Sequence, residues 1–402
     1  MTNFPTEKIQ AVARLKAFVP NAGKRYAQRR NFDHGAGHHT DVSCLSPYLR
    51  RRIITETEVL HAVLGAHSFQ DAEKFVQEVF WRTYWKGWLE MRPSVWTEYQ
   101  AKLGVLNNQI ATQSGLRQQW EAACLGDTGI DCFDAWANEL VTTGYLHNHA
   151  RMWFASIWIF TLQLPWQLGA DFFLRHLLDG DPASNTLSWR WVAGLQTAGK
   201  TYLARPDNIA KFTNGRFFQS GLATSAQPVG EFISHPRLPA PVNPPFDKAA
   251  PTLLMLHDED TEISQLVDSF ENIIGAVRLN CLNALTPFEM SRNVTNFVGA
   301  LMQDTDERWS TSIGSVENLQ NPADILTRAL DGAAIQIATP YAPVGPTADV
   351  LKTLSAQAKQ AGVKVIPVLS HYDKICWPKA THGFFRFKEH IGQFLSDLKI
   401  SA

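Results

Sequence analysis

Apolar residues recur with helical spacing through the first half of the chain. Near the N-terminus, Ile9, Val12, Leu15 and Phe18 are each three residues apart, which places them on one face of an α-helix. Comparable patterns predict helices over residues 1–20, 46–65, 68–91, 131–145, 147–163, 166–179 and 184–200, with a shorter helix and loop over 94–125. No stretch shows the two-residue period of a strand. The pattern therefore predicts an all-helical domain over residues 1–220.

Two segments interrupt this pattern. Residues 21–40 are polar and rich in glycine and histidine, so we predict a loop there. Six prolines fall between residues 228 and 245. Proline lacks a backbone N–H and disrupts helices and central strands. We therefore predict that residues 221–251 are a linker that runs over the surface.

Beyond the linker, short apolar runs predict strands. These runs are residues 252–256, 275–279, 334–338 and 363–368. Helices are predicted over 264–274 and 349–361, the second of which is followed by Gly362 as a C-terminal cap. Alternation of strands and helices favours a parallel sheet, so we predict a Rossmann-like α/β domain over residues 252–402. It contains neither a GxGxxG motif nor a P-loop, so no dinucleotide or NTP site is predicted there.

Composition narrows the class of protein. A length of 402 residues suits two domains. No apolar run approaches the roughly 20 residues needed to span a bilayer, and the N-terminus lacks the pattern of a secretory signal. The five cysteines are scattered, with no CxxC pair and no metal-type spacing. We expect a reduced, cytoplasmic, monomeric protein without a structural metal.

Charge and tryptophan are unevenly distributed along the chain. Residues 1–220 carry 23 basic and 19 acidic side chains, whereas the remainder carries 14 and 19. The first part is therefore the better candidate to meet a polyanion. Eleven of the thirteen tryptophans precede residue 192. This enrichment indicates stacking or electron transfer in the helical domain, with ordinary core packing as the alternative.

An acidic stretch precedes one of the predicted helices. Asp179 and Asp181 flank a glycine just before a helix that carries Asn185, Trp189 and Trp191. Backbone amides at a helix N-terminus hold polar groups in place. Carboxylates there can accept a hydrogen bond from a ligand N–H or from an arginine, and an amide can face a ligand without adding charge. The alternative interpretation is a helix start with acidic caps and core tryptophans.

Five motifs occur in a fixed order over residues 26–217. They are Tyr26-Ala-Gln-Arg-Arg30, Ser43-Cys-Leu-Ser-Pro-Tyr-Leu49, Glu78-Val-Phe-Trp-Arg82, Gly144-Tyr-Leu-His-Asn-His-Ala-Arg-Met152 and the stretch from Asp179 to Trp191. In order and spacing they resemble the FAD-binding domain of the DNA photolyase/cryptochrome family. The resemblance implies a flavoprotein that uses blue light. The cofactor-binding residues it implies are Tyr26, Ser43, Leu45, Ser46, Arg82, Arg151, Asp179, Asp181 and Asn185.

The resemblance also implies a row of tryptophans for electron transfer. Trp189 matches the member nearest the flavin, and Trp166 matches the middle member. The third member stays open, because neither Trp96 nor Trp120 aligns cleanly and Trp153 and Trp158 are alternatives. Arg151 is expected to pair with Asp179 beside the flavin, where a fixed guanidinium favours an anionic, reduced flavin.

The pocket for a flipped pyrimidine dimer is implied in the same way. Its members are Glu78, Trp81, Asn148, Met152 and Trp191. Aromatic faces can stack on the lesion, and polar groups can read its edges. Arg25, Arg29 and Arg30 are expected to hold DNA phosphates. We therefore expect a photolyase that splits cyclobutane pyrimidine dimers in DNA, a carbon–carbon lyase. The alternative is a cryptochrome-like photoreceptor without repair activity.

Domain order differs from that of the family, in which the α/β domain comes first. Leu253–Asp260 and His382–Phe387 resemble parts of that domain, so a circular permutation is predicted, with an unrelated α/β domain as the alternative. An antenna pigment is compatible with this order, but no residue can be assigned to it. The run Arg50–Arg52 is interpreted as a solvated helix face or a contact to DNA phosphates.

Overall fold

A computed structural model describes residues 4–401. Residues 4–251 contain helices and no strand. The helices are α1 (Lys8–Phe18), α2 (Lys24–Arg29), α3 (Ser46–Arg50), α4 (Glu56–Leu64), α5 (Phe69–Glu90), α6 (Ser94–Thr112), α7 (Ser114–Leu125), α8 (Asp131–Thr143), α9 (Asn148–Ser156), α10 (Trp166–His176), α11 (Pro182–Val192) and α12 (Pro206–Phe212). A π-helical turn, Ile157–Thr161, follows α9 directly. The predicted all-helical architecture of this part is confirmed.

Four local predictions in the helical part are wrong. The shorter helix and loop predicted over 94–125 are two helices, α6 and α7, and the helix predicted over 184–200 ends at Val192. The predicted loop over 21–40 contains α2. The single helix predicted over 46–65 is two helices, because Arg52 adopts a left-handed backbone with φ of 53°. The chain then restarts a helix at Thr55, whose side chain accepts from the Glu58 N–H in a reciprocal capping box. This break turns three consecutive arginines toward the sheet described next.

The second half contains one parallel sheet. Its elements are β1 (Thr252–Leu256), α13 (Ser264–Asp268), β2 (Ile273–Leu279), α14 (Arg292–Ile313), β3 (Val316–Leu319), α15 (Pro322–Asp331), β4 (Gln336–Pro340), α16 (Pro346–Gln360), β5 (Lys364–Val368), α17 (His371–Cys376), α18 (Phe384–Lys388) and α19 (Ile391–Asp397). The strand order is β3-β2-β1-β4-β5, and every neighbouring pair is parallel. The predicted Rossmann-like fold class is confirmed.

Some elements of this half differ from the prediction. The helix predicted over 264–274 ends at Asp268, and β2 begins at Ile273. The helix α14, the edge strand β3 and the helix α15 were not predicted. In α14 the signal is present in the sequence, since Val294, Phe297, Val298 and Leu301 are buried at helical spacing. Residues 221–251 form no helix or strand.

The two halves share a hydrophobic core. Aromatic residues of α5 pack against the C-terminal helices: Phe80 lies 5.7 Å from Phe394 between ring centroids, and Tyr84 lies 5.5 Å from Phe387. The Tyr372 hydroxyl hydrogen bonds with the Thr83 hydroxyl at 2.8 Å. Burial of these apolar surfaces holds α17, α18 and α19 against α5, which lies about 300 residues earlier in the sequence. In residues 4–401 no helix is both long and apolar enough to cross a membrane.

A buried carboxyl group lies where α5 meets the sheet. Glu90 accepts hydrogen bonds from the Tyr341 hydroxyl, at 2.6 Å, and from the Val344 N–H. Burial raises the pKa of Glu90 to about 7, although both hydrogen bonds and the nearby charge of Lys86 lower it. The folded protein therefore favours the protonated carboxyl group.

Glu90→Gln is expected to flatten the pH dependence of stability. The stability contributed by protonated Glu90 is fully present below its ordinary pKa of 4.5 and is lost as the pH rises through about 7. Between about pH 5 and about pH 8 the parent should lose on the order of 2–3 kcal/mol of unfolding free energy that the variant keeps. Urea unfolding at several pH values measures this. The exposed Glu121→Gln is the control, and equal slopes for both variants would contradict the assignment.

Candidate flavin site

A short acidic loop connects α10 to α11. Asp181 is the N-cap of α11, and its Oδ1 accepts from the Ser184 N–H at 2.8 Å. Its Oδ2 faces Arg82 at 3.3 Å and Lys86 at 3.7 Å. Burial alone would raise the pKa of Asp181, but Lys86 and the neighbouring guanidinium groups lower it well below its ordinary value. The loop and helix start predicted from the sequence are therefore present, and Asp181 is ionised.

The second aspartate of the loop pairs with an arginine of α9. The Arg151 guanidinium donates two hydrogen bonds to Asp179, both at 3.0 Å, and its Nε donates to the Leu146 carbonyl at 2.8 Å. The Ser46 hydroxyl also hydrogen bonds with Asp179. Burial would raise the pKa of Asp179, but the Arg151 charge outweighs it and lowers the pKa. The predicted pair is present, with the bidentate geometry that fixes both side chains.

Charges around this loop do not cancel. Among the described residues, five cations face four carboxylates: Arg50, Arg51, Arg82, Lys86 and Arg151 against Asp179, Asp181, Asp258 and Glu259. The excess positive charge suits an anionic ligand such as a diphosphate. Arg82 and Arg151 are the partly exposed members, so their guanidinium groups can reach one. The donor set therefore fits FAD.

The helix α11 carries an amide, Asn185, in its first turn and an indole, Trp189, about one turn later. Asn185 Nδ2 donates to the Ala170 carbonyl at 2.8 Å, which fixes the amide and directs its oxygen away from α10. The Ser184 hydroxyl and the Trp189 Nε1 are buried without a hydrogen-bond partner within residues 4–401. Buried polar groups are rarely left unpaired. These groups therefore fit a ligand that carries its own donors and acceptors.

The residues expected at the FAD phosphates lie on α2 and at the start of α3. Tyr26 is buried against Phe18 and Phe75, and burial raises its pKa. Ser43 accepts from the Leu45 N–H at 3.4 Å, so the Ser-Cys-Leu-Ser segment is a tight turn. Of this set, only Ser46 is shown in contact with the Asp179–Asp181 loop. The phosphate-binding roles of Tyr26, Ser43 and Leu45 stay predictions.

Some of the expected lesion residues contact other side chains of the protein, and the others are accessible to solvent. Glu78 forms an ion pair with Arg30. Trp81 stacks on Phe384 of α18, with ring centroids 3.7 Å apart and planes within 13°. Trp191 stacks on Tyr202 at 5.5 Å. The two remaining members, Asn148 and Met152, begin and line α9, where the first is exposed and the second half-buried.

The arginines expected to bind DNA project from α2. Arg25 and Arg29 both pair with Asp41, at 3.4 and 2.8 Å, and retain side-chain exposures of 55% and 47%. They line an open cavity of about 680 Å³ together with His34 and His38. Arg30 differs, because its ion pair with Glu78 is half-buried. Arg25 and Arg29 are thus the members free to reach a phosphate, and that role stays a prediction.

The tryptophans expected to carry electrons lie in the core of the helical part. Trp189 contacts Trp158 edge to face at 6.2 Å. Trp166 contacts Tyr99 at 5.7 Å, and Tyr99 contacts Trp96 at 5.2 Å. Of the alternatives for the third member, Trp153 stacks on Trp136 at 5.4 Å, and Trp120 lies 5.3 Å from Phe288. The order of electron transfer among these rings stays a prediction.

The interpretation of Arg50–Arg52 as a solvated or DNA-facing run is wrong. Their exposed fractions are 1%, 1% and 7%. Arg50 makes a bidentate pair with Glu259 at 2.6 and 2.7 Å, and Arg51 pairs with Asp258 at 3.2 Å. Sequence reasoning missed these partners because they lie more than 200 residues away. The available signal was two opposite runs of three charges, Arg-Arg-Arg and Asp-Glu-Asp.

Comparison with known proteins identifies the helical part. Residues 75–233 match the sequence model described as "FAD binding domain of DNA photolyase". Over that stretch the helical part of this chain is similar to the FAD-binding domain of the DNA photolyase/cryptochrome family. The cofactor that this similarity supports is FAD, as the resemblance implied.

Individual relatives carry photolyase names. The deoxyribodipyrimidine photo-lyase of Escherichia coli is 28% identical over 204 residues, which are 50% of this chain and 42% of that protein. That of Streptomyces griseus is 33% identical over 157 residues, or 39% of this chain and 33% of that protein. The solved class III photolyase of Agrobacterium tumefaciens has a TM-score of 0.41 and 27% identity, over 52% of this chain and 43% of that one.

The matches leave part of each relative without a counterpart. This chain spans about two fifths of the length of the first curated relatives. The stretch matched by the family model ends before β1 begins. The circular permutation of the α/β domain, and its capacity for an antenna pigment, therefore stay predictions.

Proposed function

We propose that this protein is a blue-light-driven, FAD-dependent DNA photolyase that splits cyclobutane pyrimidine dimers. One observation carries the proposal: Arg151 of α9 makes a bidentate pair with Asp179, in the loop that leads directly into the helix carrying Asn185, Trp189 and Trp191. These groups are those expected to face the ring of a photoactive flavin and a lesion beside it.

FAD, when bound, supplies light absorption and one-electron chemistry. The protein's own residues supply the rest of the proposed reaction. Arg151 holds positive charge beside the site, and Asp179 fixes its orientation. Arg82 offers a second, partly exposed cation for the phosphates. Burial of Trp189 and Phe173 excludes water from the deep side of α11, with their ring centroids 5.1 Å apart.

Lesion recognition is proposed for the accessible edge of α9 and α11. Asn148 can donate to and accept from a thymine edge, and Met152 offers an adaptable apolar surface. Trp191 presents the ring face that is not stacked on Tyr202. DNA phosphates on either side would contact Arg25 and Arg29. Damaged DNA is accordingly the proposed partner.

The experiment is light-dependent repair of a defined substrate. The reduced holoprotein is mixed with oligothymidine that contains cyclobutane dimers and is exposed to blue light. Restored thymine absorbance is the expected result, with darkness and dimer-free DNA as controls. Photoreduction of the flavin without restored absorbance would overturn the repair assignment, and failure to take up FAD would overturn the flavin site as well.

A photoreceptor without repair activity is the second candidate. Three of the five lesion residues already have partners within the chain: Glu78 with Arg30, Trp81 with Phe384 and Trp191 with Tyr202. The same repair experiment separates the candidates, since only the photoreceptor would photoreduce its flavin and leave the dimers intact.

A further inference from the structure

The acidic turn that follows β1 reaches across to the loop of the flavin site. Arg50 donates through Nη1 and Nη2 to Glu259 and through Nε to the Gly180 carbonyl, at 2.7 Å. Arg51 donates through Nε to Asp258 and through Nη1 to the Leu178 carbonyl, at 2.8 Å. Each guanidinium therefore joins one carboxylate of the sheet half to one backbone carbonyl of the acidic loop.

These contacts enclose the two aspartates of the loop. Leu178 comes directly before Asp179, and Gly180 lies between Asp179 and Asp181. The carbonyl groups of Leu178 and Gly180 each accept a hydrogen bond from an arginine. The backbone packs closely at this point, because a Cβ on Gly180 would lie 3.0 Å from the Leu174 carbonyl oxygen. Arg50 Nε also lies 3.9 Å from Asp181 Oδ2. The loop backbone is therefore fixed from the side of the sheet.

We propose that Asp258 and Glu259 are positioning residues for the flavin site, acting through Arg51 and Arg50. This inference rests on the proposed FAD site. Each carboxylate binds some of the N–H groups of its guanidinium. The remaining N–H group is thereby oriented toward the carbonyl of Leu178, for Arg51, or of Gly180, for Arg50. Without Glu259, Arg50 keeps Asp181 as its nearest carboxylate and competes there with Arg82 and Lys86. The loop that carries Asp179 and Asp181 then loses its alignment.

The turn contains its own matched control. Asp260 is as buried as Glu259 and pairs with Arg52 at 2.8 Å. The other partners of Arg52 are Glu56 and Asp373, neither of which belongs to the acidic loop. Asp260→Asn thus removes a buried carboxylate from the same turn and leaves the contacts to the loop in place.

The test compares Glu259→Gln with Asp260→Asn in two measurements. Hydrogen exchange of the full-length apoprotein should be faster over residues 176–186 in Glu259→Gln and unchanged there in Asp260→Asn. FAD affinity, measured well below both unfolding midpoints, should fall by about tenfold or more only in Glu259→Gln, the size found for outer partners that orient metal-binding side chains. Equal behaviour of the two variants in both measurements would overturn the proposal.

The exchange measurement separates this inference from the proposed function, because it needs no flavin. A parent protein that binds no FAD would end the flavin assignment, and the exchange comparison would still decide whether the turn orders the loop. If Glu259→Gln does not fold, Asp258→Asn replaces it, because that variant removes a single hydrogen bond, the one that orients Arg51 toward the Leu178 carbonyl. Unchanged exchange and affinity in Asp258→Asn would then count against the proposal.

Discussion

Arg151→Met is expected to abolish FAD retention and to lower the free energy of unfolding by about 3–5 kcal/mol, the cost of leaving a buried carboxylate without its partner. Asp179 is that carboxylate, and both of its guanidinium hydrogen bonds come from Arg151. Urea unfolding gives the stability, and the flavin absorbance of the purified protein gives the retention.

The pH dependence gives this result a second signature. In the parent, Arg151 keeps the pKa of Asp179 low. The pair therefore stabilises the fold above the ordinary pKa of Asp179, and this contribution to stability is lost as the pH falls through the lowered pKa. In Arg151→Met the largest opposing effect is gone, so burial raises the pKa of Asp179 against only the weaker effects of Arg82 and Ser46. The deficit of the variant should therefore grow as the pH rises from about 4 to about 7.

A double variant tests whether the loss belongs to the pair. Arg151→Met combined with Asp179→Asn removes both charges and should recover most of the lost stability, while FAD retention stays absent. The single variants Arg151→Met and Asp179→Asn are measured beside the double variant. If the loss of stability in the double variant equals the sum of the two single losses, the residues do not act as a pair.

Gly169→Val is expected to destabilise the protein by about 3 kcal/mol or more, at the upper end of overpacking in protein cores. A Cβ at Gly169 would lie 2.3 Å from Cη2 of Trp189 and 2.9 Å from Cε2 of Trp158. Both indoles are buried and rigid, so α10 and α11 would have to separate. Because Trp189 would move, bound flavin should also change its absorbance spectrum.

A glycine on another helix is the control for this substitution. Gly104 lies inside α6, and a Cβ there meets nothing within 4 Å. Gly104→Val should leave the stability unchanged or raise it by a few tenths of a kcal/mol, since valine is a slightly better helix former than glycine. Thermal unfolding of the two variants compares them, and similar losses in both would refute close packing as the cause.

Local signals in the sequence were sufficient for much of this fold and part of the site. Asp181 precedes Pro182, a pairing typical of a helix start, and the structure has its N-cap there. The contact between Arg151 and Asp179 followed from the family resemblance, although 28 residues separate them. Strands with continuous burial, such as β1 and β4, were found because buried parallel strands are apolar runs.

Contacts between distant segments could not be predicted from local patterns. Trp81 and Phe384 stack across a separation of about 300 residues, and nothing in the helical period of α5 marks which face receives α18. Arg50 and Glu259 are similar, because charge runs are usually solvated and only tertiary structure places two of opposite sign together. Helix propensity also gives no sign that Arg52, within a basic run, adopts a left-handed backbone.

The packing of the C-terminal helices on α5 has a consequence for biosynthesis. Phe80 and Tyr84 leave the ribosome about 300 residues before Phe387 and Phe394, which cover them. The nascent helical half therefore leaves the exit tunnel with an apolar face that its own sequence cannot yet cover, and such faces bind chaperones or aggregate. The native cover of α5 must therefore await synthesis of α18 and α19, and contacts between segments so far apart in sequence slow folding.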